Sequence, residues 1–521
     1  MAPVIAHQGP FRWKAAELFK LFLYCGVMVV GFLTLDNNIW DADRGQWILV
    51  MAYLGIWRYV WWLTHFVRAV LYGKLVFPRL RARANALWDQ GWRPEELVFM
   101  MTTFYEERVV TEKVILSIIY EAQRVGVPTR IFVGSGAAID EKIIQQSVKR
   151  FGKDMDIEVI FVRQNQPGKR MAIGLALRAI SRKKVASNTP IMFIDGDTIL
   201  APNCLKNCLP LLALRPNMHA MTTDEQPILY GPKFLRRWFD LRFAQRHMVM
   251  QSQALSNKVL TLTGRLSIFR AKKVTDIKFI RLIEADCLDH WLWGRFRFLS
   301  GDDKSTWYAL LKDRAEMLYV PDALCWTVDT IRKEDMYHRM IQNLLRWSGN
   351  MLRNGARAIA LGPRRVGFFI WWCIVDQRIA MWTSLAAPLA MISAGFIVSK
   401  SYWTSYLLWV MLTRLFLASL IFYHDRRLEM SYPFVLYVNQ MVNAVTKVYL
   451  LFRLPNQRWA NRQDQRYTPA EGFKWAVKNS IALYLTVFYV LTFLFVLLIY
   501  IGVLRPPPFG TVMSILGFSP S

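Results

Sequence analysis

Two carboxylates separated by one glycine follow the apolar run Pro190–Ile194 in this sequence. Four consecutive apolar residues are typical of a strand covered on both faces, as in a parallel α/β sheet. At the carboxyl end of such a strand, Asp195 and Asp197 project to the same side, and Gly196 permits close approach of the backbone. Two hard oxygen ligands favour Mg²⁺ or Mn²⁺ holding a diphosphate. The tripeptide alone is equally compatible with a simple turn after a strand.

A second acidic pair, Asp302 and Asp303, follows Gly301 about a hundred residues later. Adjacent carboxylates repel each other, so such a pair is typical of a site where one is needed as a base or is held by a partner. We interpret Asp303 as the base, with Asp302 as the alternative. The pair also suits a helix N-terminus, because acidic residues there stabilise the helix dipole.

Two basic motifs that contain glycine accompany the acidic ones. Residues 168–170 (Gly-Lys-Arg) open a predicted helix, and this combination favours binding of a phosphate or another anion. A basic helix start on the surface would have the same pattern. Gly264 and Arg265 follow a predicted strand at Val259–Leu262. A glycine at a strand end indicates close approach by a ligand or another backbone.

Alternating strands and helices must position these motifs. Strand patterns occur at residues 97–102, 129–133, 157–162 and 191–194. Helical periodicity occurs at residues 111–123, 140–151 and 170–183. The alternation predicts a doubly wound α/β sheet whose fourth strand ends in the paired aspartates.

The composition indicates a membrane protein with a full-sized catalytic domain. Of the 521 residues, 54% are hydrophobic, and they occur in discrete apolar blocks. The net charge of +28 partly reflects the positive-inside bias of membrane proteins, and the remainder fits an anionic substrate, product or leaflet. The sequence has no zinc-ligand spacing, basic zipper or aromatic–basic platform, which argues against a nucleic-acid partner. The six cysteines predict neither a disulfide framework nor a metal site.

Apolar segments flank the α/β region on both sides. Five predicted spans lie at residues 17–36, 47–67, 379–399, 403–423 and 480–503. Residues 366–375 and 432–452 are interpreted as interfacial because charged or polar residues interrupt them, although a sixth span at 432–452 stays open. The charge pattern predicts a cytoplasmic amino terminus and catalytic domain. No cleavable signal peptide is predicted.

These segments predict six parts of the chain. In order they are a transmembrane hairpin, a cytosolic catalytic domain, interfacial helices, a second hairpin, an interfacial helix with a gating loop, and a last span with its tail. Their bounds are residues 1–73, 74–336, 337–378, 379–423, 424–479 and 480–521.

The segment after the catalytic block carries cations on one helical stripe and apolar residues on the other. The cations are Arg339, Arg346, Arg353 and Arg357. The apolar residues are Ile341, Leu344, Leu345, Met351 and Leu352. This pattern predicts an amphipathic helix on the inner leaflet, with its arginines toward the cytosol and the site. A lipid-surface helix without chemistry explains the stripe but not its position beside the catalytic block.

Taken together, these residues resemble the processive branch of the inverting family-two glycosyltransferases, which includes hyaluronan and cellulose synthases. The resemblance covers almost the whole chain and implies a GT-A catalytic fold inserted between membrane spans. It implies that Asp195 and Asp197 hold a metal-bound diphosphate, with Asp197 the more direct ligand, and that Asp303 is the general base. The residues then expected at the donor diphosphate are Lys169, Arg170 and Arg346, and those at the acceptor sugar are Trp347, Lys304 and Arg265.

Two positions depart from the family pattern. The base-binding aspartate expected within Val133–Gly136 is missing. A guanine donor, rather than a uracil donor, would make that less surprising. Asn343 stands where the family has a glutamine, with Gln342 one residue earlier, while Arg346 and Trp347 match.

Three longer stretches resemble the mannuronan synthases of this branch, which polymerise the precursor of alginate. They are residues 300–313, 344–365 and 452–459. The resemblance implies a bacterial inner-membrane enzyme that transfers mannuronic acid from GDP-mannuronate in β-(1→4) linkage and carries the polymannuronate outward. Lys304 is then expected to pair with the uronate carboxylate. Arg58, Arg378 and Arg414 are candidates to line the path of the polyanion through the membrane.

The resemblance also implies control by cyclic di-GMP through a PilZ domain. The sequence shows no segment of that size outside the parts assigned above, so a separate PilZ-domain subunit is expected, with residues 454–465 as the gate. One alternative is a hyaluronan- or cellulose-type synthase that uses a UDP-sugar. Another is an inactive transport or assembly scaffold, against which the intact Asp195, Asp197 and Asp303 argue.

Overall fold

The computed structural model describes residues 15–35, 45–164, 168–330, 335–397, 399–423, 429–458, 466–467, 472–500, 502 and 504. The chain divides into two compact units. The first unit comprises Met1–Leu63, Ile379–Phe452 and Ala476–Ser521 and contains most of the long apolar helices. The second unit comprises Thr64–Arg378 and Arg453–Trp475 and contains the α/β region.

The strands of the described residues follow the expected alternation up to the paired aspartates. They are β1 (Leu97–Thr103), β2 (Thr129–Ser135), β3 (Ile157–Arg163), β4 (Pro190–Asp195), β5 (Thr198–Leu200), β6 (Met218–Tyr230), β7 (Leu266–Arg270), β8 (Cys287–His290), β9 (Gly294–Arg297), β10 (Glu316–Thr330), β11 (Gln457–Arg458) and β12 (Arg466–Tyr467).

The helices of the described residues include all three that the periodicity predicts before β4. They are α1 (Ala15–Leu33), α2 (Gly45–Leu71), α3 (Phe77–Asp89), α4 (Arg108–Val125), α5 (Ala138–Phe151), α6 (Lys169–Arg182), α7 (Cys204–Leu214), α8 (Lys233–Ala254), α9 (Ala271–Val274), α10 (Ile277–Ala285), α11 (Asp302–Lys312), α12 (Met336–Ala360), α13 (Pro363–Val366), α14 (Phe368–Ile397), α15 (Ser401–Ile421), α16 (Tyr432–Leu450) and α17 (Phe473–Tyr500). A π-helical turn, Tyr72–Val76, joins α2 to α3.

The main sheet of the second unit is mixed. Its strand order is β3-β2-β1-β4-β7-β6-β10-β5. The first four strands are parallel, as the sequence predicts, and helix α6 packs on β1, β2 and β3. Strand β7 reverses direction beside β4, so the second half departs from a purely parallel sheet. Because β1 and β4 are central, their apolar residues are buried on both faces, which explains their continuous hydrophobic runs.

Within the described residues, four helices are long and apolar enough to cross a membrane. They are α1, α14, α15 and α17. Most of residues 366–375, expected at the interface, belong to α14, which is one continuous helix through Asp376 and Arg378. Their interfacial position stays a prediction. Asp376 is buried, and Arg378 donates to the Leu352 carbonyl at 2.7 Å. These interactions allow charged residues to remain inside a helix that is otherwise apolar.

Two further helices bear on the number of spans. The second predicted span coincides with α2, which has 27 residues but is not among the four helices that qualify by length and composition. The residues 432–452, expected at the interface, form α16, which likewise is not among the four. The five-span and six-span arrangements therefore stay predictions.

Candidate active site

The two aspartates after β4 lie at the carboxyl edge of the parallel strands. Asp195 is the last residue of β4 and pairs with Thr102 of β1, whose hydroxyl donates to its Oδ1 atom at 3.5 Å. The Gly196 N–H donates to the Thr102 carbonyl at 2.9 Å, and a Cβ atom at this glycine would lie only 3.0 Å from that oxygen. Glycine is therefore required for the close backbone contact. Asp197 accepts a hydrogen bond from the Thr198 hydroxyl at 3.4 Å.

Lys169, the first residue of α6, connects the two acidic motifs. Its Nζ atom lies 2.7 Å from Asp195 Oδ1 and 3.2 Å from Asp302 Oδ2. Burial alone would lower the pKa of Lys169, but the two carboxylates raise it above its ordinary value, so the side chain stays charged. Burial raises the pKa of Asp195 to about 6 despite the opposing effect of Lys169. The structure therefore brings together three residues that the sequence places in separate motifs.

The residues Gly301, Asp302 and Asp303, which we call the base motif, lie at the start of α11, as the sequence predicts. Gly301 adopts a left-handed conformation with φ 83°, and a Cβ atom there would lie 2.7 Å from the Asn350 side chain. Asp303 accepts hydrogen bonds from the Lys304 N–H at 2.9 Å and from the Thr261 hydroxyl at 3.4 Å. Burial and the neighbouring Asp302 charge raise the pKa of Asp303. Burial also disfavours ionised Asp302, but Lys169 and Arg170 hold its pKa below the ordinary value.

Arg170, expected at the diphosphate, is instead a buried support for the base motif. Its guanidinium donates to the Ile283 carbonyl at 3.1 Å, the Ser300 carbonyl at 3.0 Å and the Ser305 hydroxyl at 2.9 Å. These partners flank the two aspartates on both sides along the chain. The position differs from the expectation because the partners come from α10 and α11, far away in sequence.

Residues 260–265, which we call the 260–265 segment, form one wall of the site. The predicted strand at Val259–Leu262 is wrong, since β7 begins only at Leu266. The Leu260 carbonyl accepts a hydrogen bond from the Lys304 ammonium, and the Thr261 hydroxyl donates to Asp303. A Cβ atom at Gly264 would lie 2.9 Å from Lys169 Nζ. The segment therefore runs past Asp303 first and then past Lys169, which contacts Asp195.

The ammonium group of Lys304 contacts other groups of the protein. Besides its bond to the Leu260 carbonyl, its ammonium lies 5.1 Å from the centroid of the Trp307 ring. Burial lowers its pKa to about 8, although the adjacent Asp303 opposes this shift. Lys304 thus fixes the 260–265 segment against α11.

Arg265 ends the 260–265 segment in a buried ion cluster that the sequence analysis did not identify. Its Nη1 atom lies 3.3 Å from Glu225 Oε2, and the Nε atom of Arg246 lies 3.3 Å from the other carboxylate oxygen. Glu225 belongs to β6 and Arg246 to α8. The acidic pair Asp224-Glu225 within a strand was the available sequence signal, because charged residues at such positions need partners.

Helix α12 carries the Arg-Trp pair expected from the family, but its surface differs from a lipid-facing helix. Leu344 and Leu352 are buried, while Ile341 is exposed. Arg346 donates to Asn343 at 3.4 Å, and burial lowers its pKa. The other three arginines contact protein groups: Arg339 donates to Asp329, Arg353 to Asn350 and the Leu454 carbonyl, and Arg357 to Asp286.

Trp347 packs against α8. Its ring is stacked with that of Trp238 at 5.9 Å between centroids, and the Arg242 guanidinium lies 4.5 Å from its centroid. Protein groups therefore already cover part of the aromatic surface that was expected to meet an acceptor sugar. The role of Trp347 at the acceptor stays a prediction.

The chain after α16 forms hydrogen bonds with the segment that precedes the base motif and with α12. Gln457 accepts the Leu299 N–H at 2.9 Å and donates to the Arg297 carbonyl at 2.9 Å. Arg353, which is 1% exposed, donates to the Leu454 carbonyl at 2.8 Å and to Asn350. This described part of the expected gate is thus bonded to the residues just before Gly301. The remainder, including Trp459, lies outside the described residues.

An aromatic residue at the end of β1 was also missed. Tyr105 is 69% exposed and has φ 53°, a conformation that is rare for a residue with a side chain. The buried Asp140 carboxylate accepts the Tyr105 N–H at 2.8 Å and the Thr103 hydroxyl at 3.1 Å. Asp140 follows the segment in which the family aspartate is missing, and so a carboxylate is present near that edge of the sheet after all.

The carboxylates can be tested for their fit to a divalent cation. No group of three or more His, Cys, Asp or Glu side chains with metal-ligand geometry occurs in the described part of the chain. Two carboxylates that leave most coordination positions to a diphosphate still fit Mg²⁺ or Mn²⁺. The Lys169 ammonium group contacts Oδ1 of Asp195, so Oδ2 would be the oxygen offered to the cation.

Comparison with known proteins identifies the family to which the chain belongs. Residues 94–350 match a family model described as glycosyltransferase like family 2. The chain is 37% identical over 452 residues to a protein of Pseudomonas syringae pv. tomato named glycosyltransferase alg8, covering 87% of this chain and 90% of that one. It is 37% identical over 446 residues to a protein of the same name from Azotobacter vinelandii, covering 85% and 90%. Among solved structures, it is similar to a Pyrobaculum calidifontis mannosyltransferase in complex with GDP-Man and Mn²⁺, with TM-score 0.42, 15% identity and coverage of 72% and 99%.

Proposed function

Because the chain belongs to the family 2 glycosyltransferases, in the group named alg8, we propose that it polymerises mannuronic acid from GDP-mannuronate. The product is β-(1→4) polymannuronate, the alginate precursor, and the apolar helices carry it across the bacterial inner membrane. The observation that carries the proposal is the position of the Lys169 ammonium between Asp195 and Asp302, with Asp303 adjacent in the chain to Asp302. The chain has alg8 relatives over most of its length. The site therefore has two ends. The diphosphate would bind at Asp195 (the diphosphate end), and Asp302 and Asp303 supply the base (the base end).

Asp303 acts as the general base. As the acceptor hydroxyl oxygen attacks the anomeric carbon of the donor, its proton passes to Asp303, and the bond from that carbon to the phosphate oxygen breaks to release GDP. Attack from the face opposite the leaving group inverts the anomeric configuration. The raised pKa of Asp303 suits this role, because a more basic carboxylate accepts a proton more readily.

The diphosphate is held at the end of β4. Asp197 and Asp195 would hold Mg²⁺ or Mn²⁺, which when bound neutralises charge on the departing GDP. Lys169 and Arg346 add cations to this side of the site, and Arg170 keeps the base motif in place. The exposed Tyr105 ring, fixed through Asp140, offers a stacking surface for the guanine base.

The remaining parts of the proposal concern location and control. The second unit works in the cytoplasm, where the nucleotide sugar is made, and the first unit is embedded in the inner membrane. A separate PilZ-domain subunit brings the cyclic di-GMP signal to the chain after α16.

The proposal is tested by incubating membranes that contain the full chain with labelled GDP-mannuronate, UDP-glucose and UDP-glucuronate in turn. We expect labelled polymer from GDP-mannuronate only, and none from membranes that contain the Asp303→Asn variant. Polymer from a UDP-sugar would identify a hyaluronan- or cellulose-type synthase. No polymer from any donor, with the PilZ-bearing partner co-expressed, would favour the scaffold alternative.

A further inference from the structure

Two arginines from different elements share one buried carboxylate beside the site. Glu225 is 5% exposed, and each of its oxygens faces one guanidinium, that of Arg246 and that of Arg265, at 3.3 Å. Among the described residues, the buried Nη1 atom of Arg246 has no hydrogen-bond partner. A buried donor of this kind is costly unless an acceptor binds it.

The neighbouring carboxylate of Asp224 adds a negative charge but does not accept a hydrogen bond from Arg246 Nη1. Asp224 accepts a hydrogen bond from the Tyr319 hydroxyl at 2.6 Å, and its oxygen lies 3.3 Å from His247 Nδ1. The distance from Asp224 to Arg246 is longer, at 3.9 Å. Asp224 therefore serves mainly its own partners, and Glu225 alone closely pairs with the two arginines.

The arginine pair lies next to the reacting groups. Arg265 follows Gly264, where a Cβ atom would lie 2.9 Å from Lys169 Nζ and 3.2 Å from Asp195 Oδ2. The same 260–265 segment touches Asp303 through Thr261. In agreement, the charge of Asp197 acts on Arg265, and the charge of Arg246 acts on Lys304 beside the base.

Lys304, the residue first expected to bind a uronate, is already committed to the Leu260 carbonyl. Guanidinium groups are also better suited to the task. Their planar fork binds a carboxylate through two parallel hydrogen bonds, and they remain charged when buried. Glu225 occupies only part of the donor capacity of each arginine, since each guanidinium has five N–H groups.

We propose that Arg246 and Arg265, fixed by Glu225, bind the carboxylate of a hexuronate and give the enzyme its preference for uronic acids over neutral sugars. This inference rests on the proposed function. A neutral sugar has no carboxylate to accept from these N–H groups, so it leaves a buried donor unpaired. The carboxylate can belong to the donor sugar or to the terminal acceptor sugar, and the two sources are separable by experiment.

The first test compares donors. Full-length protein in membranes is given GDP-mannuronate or GDP-mannose, which lacks the carboxylate, and kcat/KM is measured for transfer or, for weak donors, hydrolysis. We expect Arg246→Gln to lower kcat/KM for GDP-mannuronate by at least about tenfold, corresponding to about 1.4 kcal/mol, with less than about a twofold change for GDP-mannose. Arg246→Lys keeps a charge and should retain part of the preference.

The second test compares acceptors at saturating GDP-mannuronate. Mannuronate oligosaccharides and the same oligosaccharides with their carboxyl groups reduced to alcohols serve as primers. A loss of preference between donors assigns the carboxylate to the donor sugar, and a loss of preference between primers assigns it to the acceptor. Either result supports the proposal.

A matched control is Arg81→Gln, which breaks a 2.6 Å ion pair to Asp322 in the same unit and should change neither preference. Glu225→Gln should reduce the same preference as Arg246→Gln, because it releases both guanidiniums. If Arg246→Gln and Arg265→Gln lower the use of charged and neutral substrates equally, the inference is overturned while the proposed function stands. If the wild-type chain makes no polymer from GDP-mannuronate, the proposed function itself fails.

Discussion

Asp195 and Asp302 share one cation, since the Lys169 ammonium lies 2.7 Å from the first carboxylate and 3.2 Å from the second. The two residues belong to motifs about a hundred positions apart in the sequence. One lysine at the start of α6 therefore sets the separation of the diphosphate end and the base end of the site. This contact and its neighbours have consequences that can be measured.

Replacing the shared cation should disable and destabilise the enzyme. Lys169→Met leaves two largely buried carboxylates without their partner, so we expect a loss of about 3 kcal/mol in the free energy of unfolding and at least a hundredfold (~10²) loss of polymer synthesis. Lys169→Arg should retain measurable activity. The exposed pair of Lys183 and Glu158 provides the control, because Lys183→Met should cost less than about 1 kcal/mol. Equal effects at both lysines in thermal unfolding would contradict the bridging role.

Removing the base should separate binding from chemistry. Asp303→Asn keeps the shape of the side chain but cannot accept the proton, so we expect about a hundredfold or greater loss of polymer formation. Binding of GDP, measured by calorimetry, should stay within about threefold of wild type, because the diphosphate end is intact. Near-normal polymer output would move the role to Asp302.

Donor binding should depend on the divalent cation through Asp197 and Asp195. Asp197→Ala is expected to weaken GDP binding in the presence of Mg²⁺ by about tenfold or more, and excess Mg²⁺ should restore little of it. The matched measurement uses a chelator on the wild-type protein. Unchanged activity after removal of divalent ions would show that the two carboxylates act without a metal.

The pH dependence of donor binding follows from the pKa of Asp195, which burial raises to about 6. The ionised carboxylate is the form that binds a cation, and protonation removes it. Affinity for GDP with Mg²⁺ should therefore be constant above that pH and fall by about tenfold per unit as the pH drops below it. Asp195→Asn should give a flat and weaker profile. A flat profile in the wild type would rule out this titration.

Gln457 should affect the chemical step and not the binding of nucleotide. Gln457→Ala removes two hydrogen bonds to the backbone at Arg297 and Leu299, so the base motif loses support. We expect kcat to fall by about tenfold, with less than about a twofold change in KM for the donor. Asn456→Ala, at the exposed neighbouring residue, is the control. A change in KM alone would argue for a direct contact with the donor.

The sequence predicted the first half of the catalytic unit well because its signals are local. The apolar run before Asp195, the glycine before Asp302 and the periodicity of α4 to α6 each reflect a few adjacent residues. Arg170, Glu225 and Gln457 were not predicted in their observed roles. Their partners lie on other elements, and most are tens to more than a hundred residues away, so no local pattern encodes them. The strand expected at Val259–Leu262 failed for a related reason, since side-chain partners hold that segment outside the sheet.

The 260–265 segment has one further consequence. Two of its main-chain N–H groups donate to side chains, that of Leu260 to Gln253 at 3.0 Å and that of Thr263 to the Thr222 hydroxyl at 3.3 Å, whereas β7 directly after it is paired on both sides. Exchange of its amide hydrogens with solvent can therefore proceed without opening any strand ladder. Side chains therefore hold this wall of the active site, whereas backbone ladders hold the sheet at the diphosphate end.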